Sequence, residues 1–132
     1  MVPELTLYSA KICPWAQRAT LALAEVHVRR RLPPPFPANN PPQAPHTHIE
    51  IDLKNKPDWY ASRVNPASKV PVLQLGADDA KGTVKVPESH VILELVSDLY
   101  PGQLLPSDPV LRAEARYFIG ASSLAPLLPR PS

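Results

Sequence analysis

Cysteine is nearly absent from this chain, with Cys13 alone among 132 residues, and glycine is scarce at four. A lone cysteine excludes an intramolecular disulfide framework and fits a reducing compartment. An excess of charge of one sign is also missing. The 14 basic and 12 acidic residues leave a net +2, which gives no electrostatic footprint for nucleic acid or an acidic membrane surface. No stretch interleaves aromatic and basic residues as a nucleic-acid platform does. No apolar run approaches the length of a bilayer span. Met1-Val2-Pro3-Glu4 lacks the basic opening of a secretory signal, so the expected location is cytoplasmic, and the expected partners are small molecules. The length suits one domain with a modest core.

Proline, by contrast, is plentiful at 19. Seven fall in the 13 positions from 33 to 45: Pro33, Pro34, Pro35, Pro37, Pro41, Pro42 and Pro45. At that density neither a helix nor a central strand can form, and extended polyproline-like backbone is expected. The segment 27–46, opening with His27-Val28-Arg29-Arg30-Arg31, is therefore expected to be a loop, far longer than the roughly 2–6 residues usual between a helix and a strand. It fits a proline-rich ligand for a partner module, a solvated insertion without a role, or, the reading we favour, translated intron sequence.

The chemistry converges on Lys11-Ile12-Cys13-Pro14-Trp15-Ala16-Gln17-Arg18. Leu5-Thr6-Leu7-Tyr8 alternates as a strand, and Ala16 to Val26 carries Ala19, Ala22, Leu23 and Val26 on one helical face. Pro14 suits a first helical position, which makes Cys13 the N-cap with its sulfur facing unpaired amides. A thiolate, not a thiol, is the nucleophile, and a helix N-terminus favours it by at most about 2 kcal/mol. Anything further requires direct N–H donors or a cation such as Lys11 or Arg18. Residue 16 is alanine, so no second thiol completes a C-x-x-C pair, and any disulfide forms with a partner molecule. A small buried hydrophobe is the competing role for a free cysteine, but packing alone does not call for one at a helix start before proline.

Thr47 to Asp52 alternates as a half-exposed strand parallel to the first. His46 and His48 lack the further ligands of a metal site, and no metal is expected. Asn55 and Pro57 open a short helix that Asn65-Pro66 closes. Val70 to Leu75 and Thr83 to Val86 form an antiparallel hairpin. Pro87-Glu88-Ser89 opens a helix with Val91, Ile92, Leu95, Val96 and Leu99 at helical spacing. Ser89 fits an N-cap, and a helix N-terminus with a hydroxyl is an anion site. Glu88 has no capping-box role, because Ile92 occupies the position where that motif needs Glu or Gln. A last helix is expected from Ser107-Asp108-Pro109, with Leu111, Ala115 and Phe118 on one side, dissolving after Ile119.

Cys-Pro-Trp-Ala-Gln-Arg after a short strand resembles the active-site motif of omega-class glutathione transferases and the similar plant lambda and fungal omega-like enzymes. The resemblance continues through Ile51-Asp52-Leu53-Lys54-Asn55-Lys56-Pro57-Asp58-Trp59, Asn65-Pro66-Ala67-Ser68-Lys69-Val70-Pro71-Val72-Leu73, Pro87-Glu88-Ser89, and Tyr100-Pro101-Gly102 to Leu105-Pro106. It implies an α/β, thioredoxin-like βαβαββα domain over residues 1–103 with glutathione as co-substrate. Residues 104–132 would be a linker, the first helix of an all-helical second domain, and a disordered tail. The resemblance also implies site roles. Lys56, by residue type alone an ordinary solvated lysine, would meet the glycine carboxylate of glutathione, with Leu53 on the same edge. A cis bond before Pro71 would free the Val70 backbone for the cysteinyl unit. Ser89 would bind the γ-glutamyl carboxylate, and Glu88 the α-amino group.

The activity so implied is thiol transfer: the Cys13 thiolate attacks glutathione-bound sulfur, and a second glutathione releases it. Deglutathionylation, thioltransferase or dehydroascorbate reductase chemistry all fit. Glutathionyl-hydroquinone reductases share a similar Cys-Pro-Trp-Ala motif, but the rest of the chain fits omega better. The alternative is an idle glutathione-binding module or an inactive fragment. With little of a second domain to cover Val91 to Leu99, pairing or self-association of the chain, including a homodimer, is expected.

Overall fold

The computed structural model describes residues 2–31, 45–78 and 80–124. In chain order these form β1 (Leu5–Ser9), α1 (Pro14–Arg31), β2 (Thr47–Glu50), α2 (Asp58–Arg63), β3 (Val72–Leu75), β4 (Val84–Pro87), α3 (Ser89–Leu99) and α4 (Pro109–Leu124). The sheet order is β2-β1-β3-β4. β1 and β2 run parallel, with Thr6 opposite Thr47 and Ser9 opposite Glu50. β3 is antiparallel to both β1 and β4, pairing Tyr8 with Val72 and Leu73 with Val86. This is the thioredoxin-like architecture expected from the sequence.

The strand period of two sends alternate β1 residues into different layers. Leu5 and Leu7 join Leu73 under α1 and α3, packed by Ala19, Ala22, Leu23, Val26, Ile92, Val96 and Tyr100. Tyr8 and Val72 face the opposite layer with Ile51, Tyr60 and Val64. All five residues of β1 are therefore buried; its alternation sorts side chains between two cores rather than between core and water. The small alanines of α1 are what allow that helix to lie close on the sheet.

Three expectations for these elements are corrected. α1 continues through His27 to Arg31, because nothing in that run breaks a helix. The proline ring that disfavours helix at its preceding residue arrives only with Pro33. α4 likewise continues past Ile119 to Leu124. One glycine there costs only about 1 kcal/mol, and the next proline is Pro126. The remaining expectations for residues 32–44 and 125–132 fall outside the described residues.

The third correction concerns α3. Val91 is exposed, while Ile92 and Val96 are fully buried and Leu93, Leu95 and Leu99 partly so. The helix has found its cover in α1 and the sheet. Exposed apolar surface lies instead on α4, where Val110, Leu111, Tyr117 and Phe118 are 52–80% exposed. α4 is anchored by its start. Asp108 accepts from the amides of Val110 and Leu111 at 3.0 and 2.9 Å, and Arg116 pairs with Glu94 of α3 at 3.3 Å. No helix among the described residues is long and apolar enough to cross a membrane.

Candidate functional site

Cys13 lies where β1 gives way to α1, half-buried and without a disulfide partner. A tight turn delivers it: the Cys13 amide donates to the Ala10 carbonyl at 3.0 Å, and the Cys13 carbonyl accepts from Gln17 at 3.1 Å. The second bond is the first of α1, so Cys13 is the residue immediately outside the helix, as its sequence context requires. Lys11 and Ile12 between them are exposed.

Beside this turn is a cleft of about 260 Å³ lined by Trp15, Asn65, Lys69, Val70, Pro71, Glu88, Ser89 and His90. It gathers four of the candidate residues from two distant stretches. Val70 and Pro71 arrive just ahead of β3, joined by a cis peptide bond. Glu88 and Ser89 arrive at the start of α3. Cys13 is two positions from Trp15 but is not itself among the lining residues. Leu53 packs instead against the Tyr8–Tyr60 core. The Lys56 ammonium donates to the Ser68 carbonyl, one residue short of the cleft wall at Lys69, and retains donors beyond that bond.

The α3 end of the cleft carries strain. Glu88 caps the helix at φ 75° and ψ 118°, with no side-chain cap bond, although its carbonyl accepts the first helical amide from Ile92 at 3.0 Å. A β-carbon at positive φ costs about 1–2 kcal/mol, and such outliers concentrate at binding sites. Ser89, expected as a cap, is instead the first helical residue. It is buried, and its hydroxyl accepts a long bond of 3.4 Å from Arg18 Nη1. Arg18 in turn lies 4.5 Å from the Trp15 ring centroid. The arginine considered as a cation for Cys13 thus reaches the Ser89 hydroxyl. We expect Glu88→Gly to raise stability in urea titration by up to about 1 kcal/mol, the relieved strain exceeding the added chain entropy of glycine. Glu88→Gln, which keeps the β-carbon, should not. Equal stability of all three chains would mean the conformation is not strained.

Several supporting residues gave no chemical signal in the sequence. The Lys69 carbonyl, next to the cis bond, accepts from Tyr60 Oη at 2.7 Å and Asn65 Nδ2 at 3.1 Å. Asn65 also holds its own loop through Ala67 N at 3.0 Å. Tyr60 is fully buried, and burial first, with Tyr8 second, pushes its hydroxyl above the ordinary tyrosine range. At the opposite edge, Glu50 accepts from the Lys11 amide at 2.8 Å and contacts His48 Nε2 at 3.1 Å. The Lys11 amide most, then His48, holds the Glu50 carboxyl below its ordinary range. Because the folded-state value is the lower one, this bond is intact above that range and is lost as acid protonates the group. His48 is thereby occupied by a carboxylate. Among the described residues no group of three His, Cys, Asp or Glu is placed to hold a metal.

A family model described as the glutathione S-transferase N-terminal domain matches residues 7–104. The chain belongs to the glutathione S-transferase family. Among its curated relatives, glutathione S-transferase omega-1 of Sus scrofa is 35% identical over 98% of this chain and 46% of its own length. Pyrimidodiazepine synthase of Drosophila melanogaster is 33% identical over 89% of this chain and 42% of its own. Among solved structures, glutathione transferase Omega 1C from Trametes versicolor superposes with a TM-score of 0.75 at 44% identity, covering 94% of this chain and 50% of that one. The chain thus spans under half the length of these curated relatives.

Proposed function

We propose that this domain binds glutathione in the Trp15–Ser89 cleft and that Cys13 exchanges thiols with it. The observation that carries the reading is the convergence of Val70, Pro71, Glu88 and Ser89 on one cleft two residues along the chain from the only thiol. Glutathione offers two carboxylates, an ammonium and a thiol. Ser89, at the first position of an 11-residue helix, suits the γ-glutamyl carboxylate. The exposed Glu88 carboxylate suits the ammonium, and Val70, outside the β3 ladder, has backbone to offer the cysteinyl unit. Lys56, bonded to Ser68 one residue from the cleft wall, is the candidate for the glycine end, whereas Leu53 packs against the Tyr8–Tyr60 core.

The chemistry then follows from a single sulfur. The Cys13 thiolate attacks the glutathione sulfur of a mixed disulfide; the Cys13–glutathione S–S bond forms as the old S–S bond breaks and the partner leaves as thiolate. A second glutathione thiolate attacks that sulfur, releasing Cys13 and forming oxidised glutathione. Electrons balance across the two steps: one glutathione thiol and the mixed disulfide are consumed, and the partner's thiol and oxidised glutathione are released. Hydroxyl chemistry has no equivalent claim, because the Tyr8 hydroxyl donates to Gln74 at 3.2 Å inside the core and Ser9 is 2% exposed. Relatives at 33% identity include both an omega-2 transferase and a pyrimidodiazepine synthase, so similarity leaves the acceptor open.

Intact mass after incubation with oxidised glutathione at pH 7 tests the reading. One glutathione should add, and excess reduced glutathione should remove it. A folded chain that gains no mass would leave binding without exchange as the function.

A further inference from the structure

We propose that Glu50 and Gln17 are positioning residues that fix the Cys13 turn relative to the cleft. The inference rests on the assignment of Cys13 as the exchanging thiol. Its basis is the way the backbone of one residue, Lys11, is held on both sides, at its N–H and at its carbonyl. Glu50 Oε1, at the end of β2, accepts the Lys11 N–H at 2.8 Å. Gln17 Nε2, in the first turn of α1, donates to the Lys11 carbonyl at 2.9 Å; only the amide nitrogen of glutamine can face a carbonyl. The second carboxylate oxygen of Glu50 meets His48 Nε2 at 3.1 Å, which fixes the carboxylate plane.

Such a grip matters because packing does not supply one. Ile12 is 71% exposed and Lys11 is exposed too, so no buried side chain between Ala10 and Cys13 anchors the turn. Backbone pairing reaches only its two ends: the Ile51 amide donates to the Ser9 carbonyl at 2.8 Å, and the Cys13 amide to the Ala10 carbonyl at 3.0 Å. What remains is polar. Neither Glu50 nor Gln17 lines the cleft, so their effect on reaction passes through the placement of Cys13. Attack on a disulfide needs the three sulfurs nearly in line, and a misplacement of about 1 Å can cost about a hundredfold in rate. A small alkylating reagent that approaches from solvent makes no such demand.

The test compares Glu50→Ala, Glu50→Gln and Gln17→Ala with the wild-type chain. Three quantities are read: exchange protection of the Lys11 amide by NMR, the rate of adduct formation with oxidised glutathione, and the rate of alkylation by iodoacetamide. Glu50→Ala should lose Lys11 protection and slow the glutathione reaction by about tenfold or more, while alkylation stays within about twofold of wild type by the same argument. Gln17→Ala should slow the glutathione reaction with alkylation unchanged. Glu50→Gln keeps an acceptor oxygen and should restore both protection and rate. Wild-type glutathione kinetics in Glu50→Ala, or equal slowing towards both reagents, overturns the proposal. If the wild-type chain forms no adduct, the assignment of Cys13 fails, and Lys11 protection then decides alone: loss in Glu50→Ala supports the grip, retention overturns it.

Discussion

Cys13→Ser will form no glutathione adduct under any condition in which the wild-type chain is fully converted. A disulfide needs two sulfurs, and the sequence holds no other cysteine, so the loss is complete rather than graded. The substitution is also unusually clean. Serine is the better residue for the position preceding a helix, since its hydroxyl accepts from the free amides of the first turn, an interaction worth about 1 kcal/mol in typical caps. The melting temperature should therefore hold or rise slightly, and lost reaction cannot be assigned to lost structure. Glutathione affinity, measured by calorimetry, should change by no more than about threefold, less than one neutral hydrogen bond. Glu88→Gln should give the reverse pattern: a thiol that still alkylates, but glutathione affinity lower by about tenfold or more, the scale of a hydrogen bond to a charged group. Residual adduct on Cys13→Ser, or an affinity that collapses with the sulfur, would dissolve the separation between binding and exchange.

What the sequence disclosed, and what it withheld, divides along contact range. Cys13, Pro14 and the helical face beyond them lie within a few turns of one another, so helix-start chemistry alone locates the thiol. The same holds for the β3–β4 hairpin and for the start of α3. Helix ends were harder. Arg29 to Arg31 resembles a solvated tail and Gly120 a stop, yet both stretches stay helical, because termination requires an actual breaker and the prolines come later. The strain at Glu88 was invisible for a related reason: a positive φ at a non-glycine residue is imposed by the surrounding fold. Least legible were the bonds that join distant segments. Arg18 to Ser89 spans 71 positions and Lys11 to Glu50 spans 39. Each residue type is unremarkable on a surface, and only the strand order brings the pairs together.

Tyr60 carries the other large expected effect, because one side chain serves both core and cleft. It is fully enclosed among Tyr8, Ile51, Val64 and Val72, with ring centroids 6.1 Å from those of Tyr8 and Trp59 in edge-to-face arrangements. Removing a buried aromatic costs about 3–5 kcal/mol, against a total of about 5–15 for a typical domain. Tyr60→Ala should therefore be unfolded or nearly so at 25 °C by circular dichroism. Tyr60→Phe keeps the ring and loses only the bond to the Lys69 carbonyl, which retains Asn65 as a donor; a cost near 1 kcal/mol follows. Alkali separates the two contributions. Burial raises the Tyr60 hydroxyl above its ordinary value, so the folded chain holds a proton that the unfolded chain releases above about pH 10. The stability tied to that proton is whole below about pH 10 and declines as pH rises through the folded-state value. Tyr60→Phe should start lower at pH 8 but fall less steeply between pH 10 and 11. Parallel declines in urea titrations of the two chains would mean that Tyr60 ionises without leaving the core.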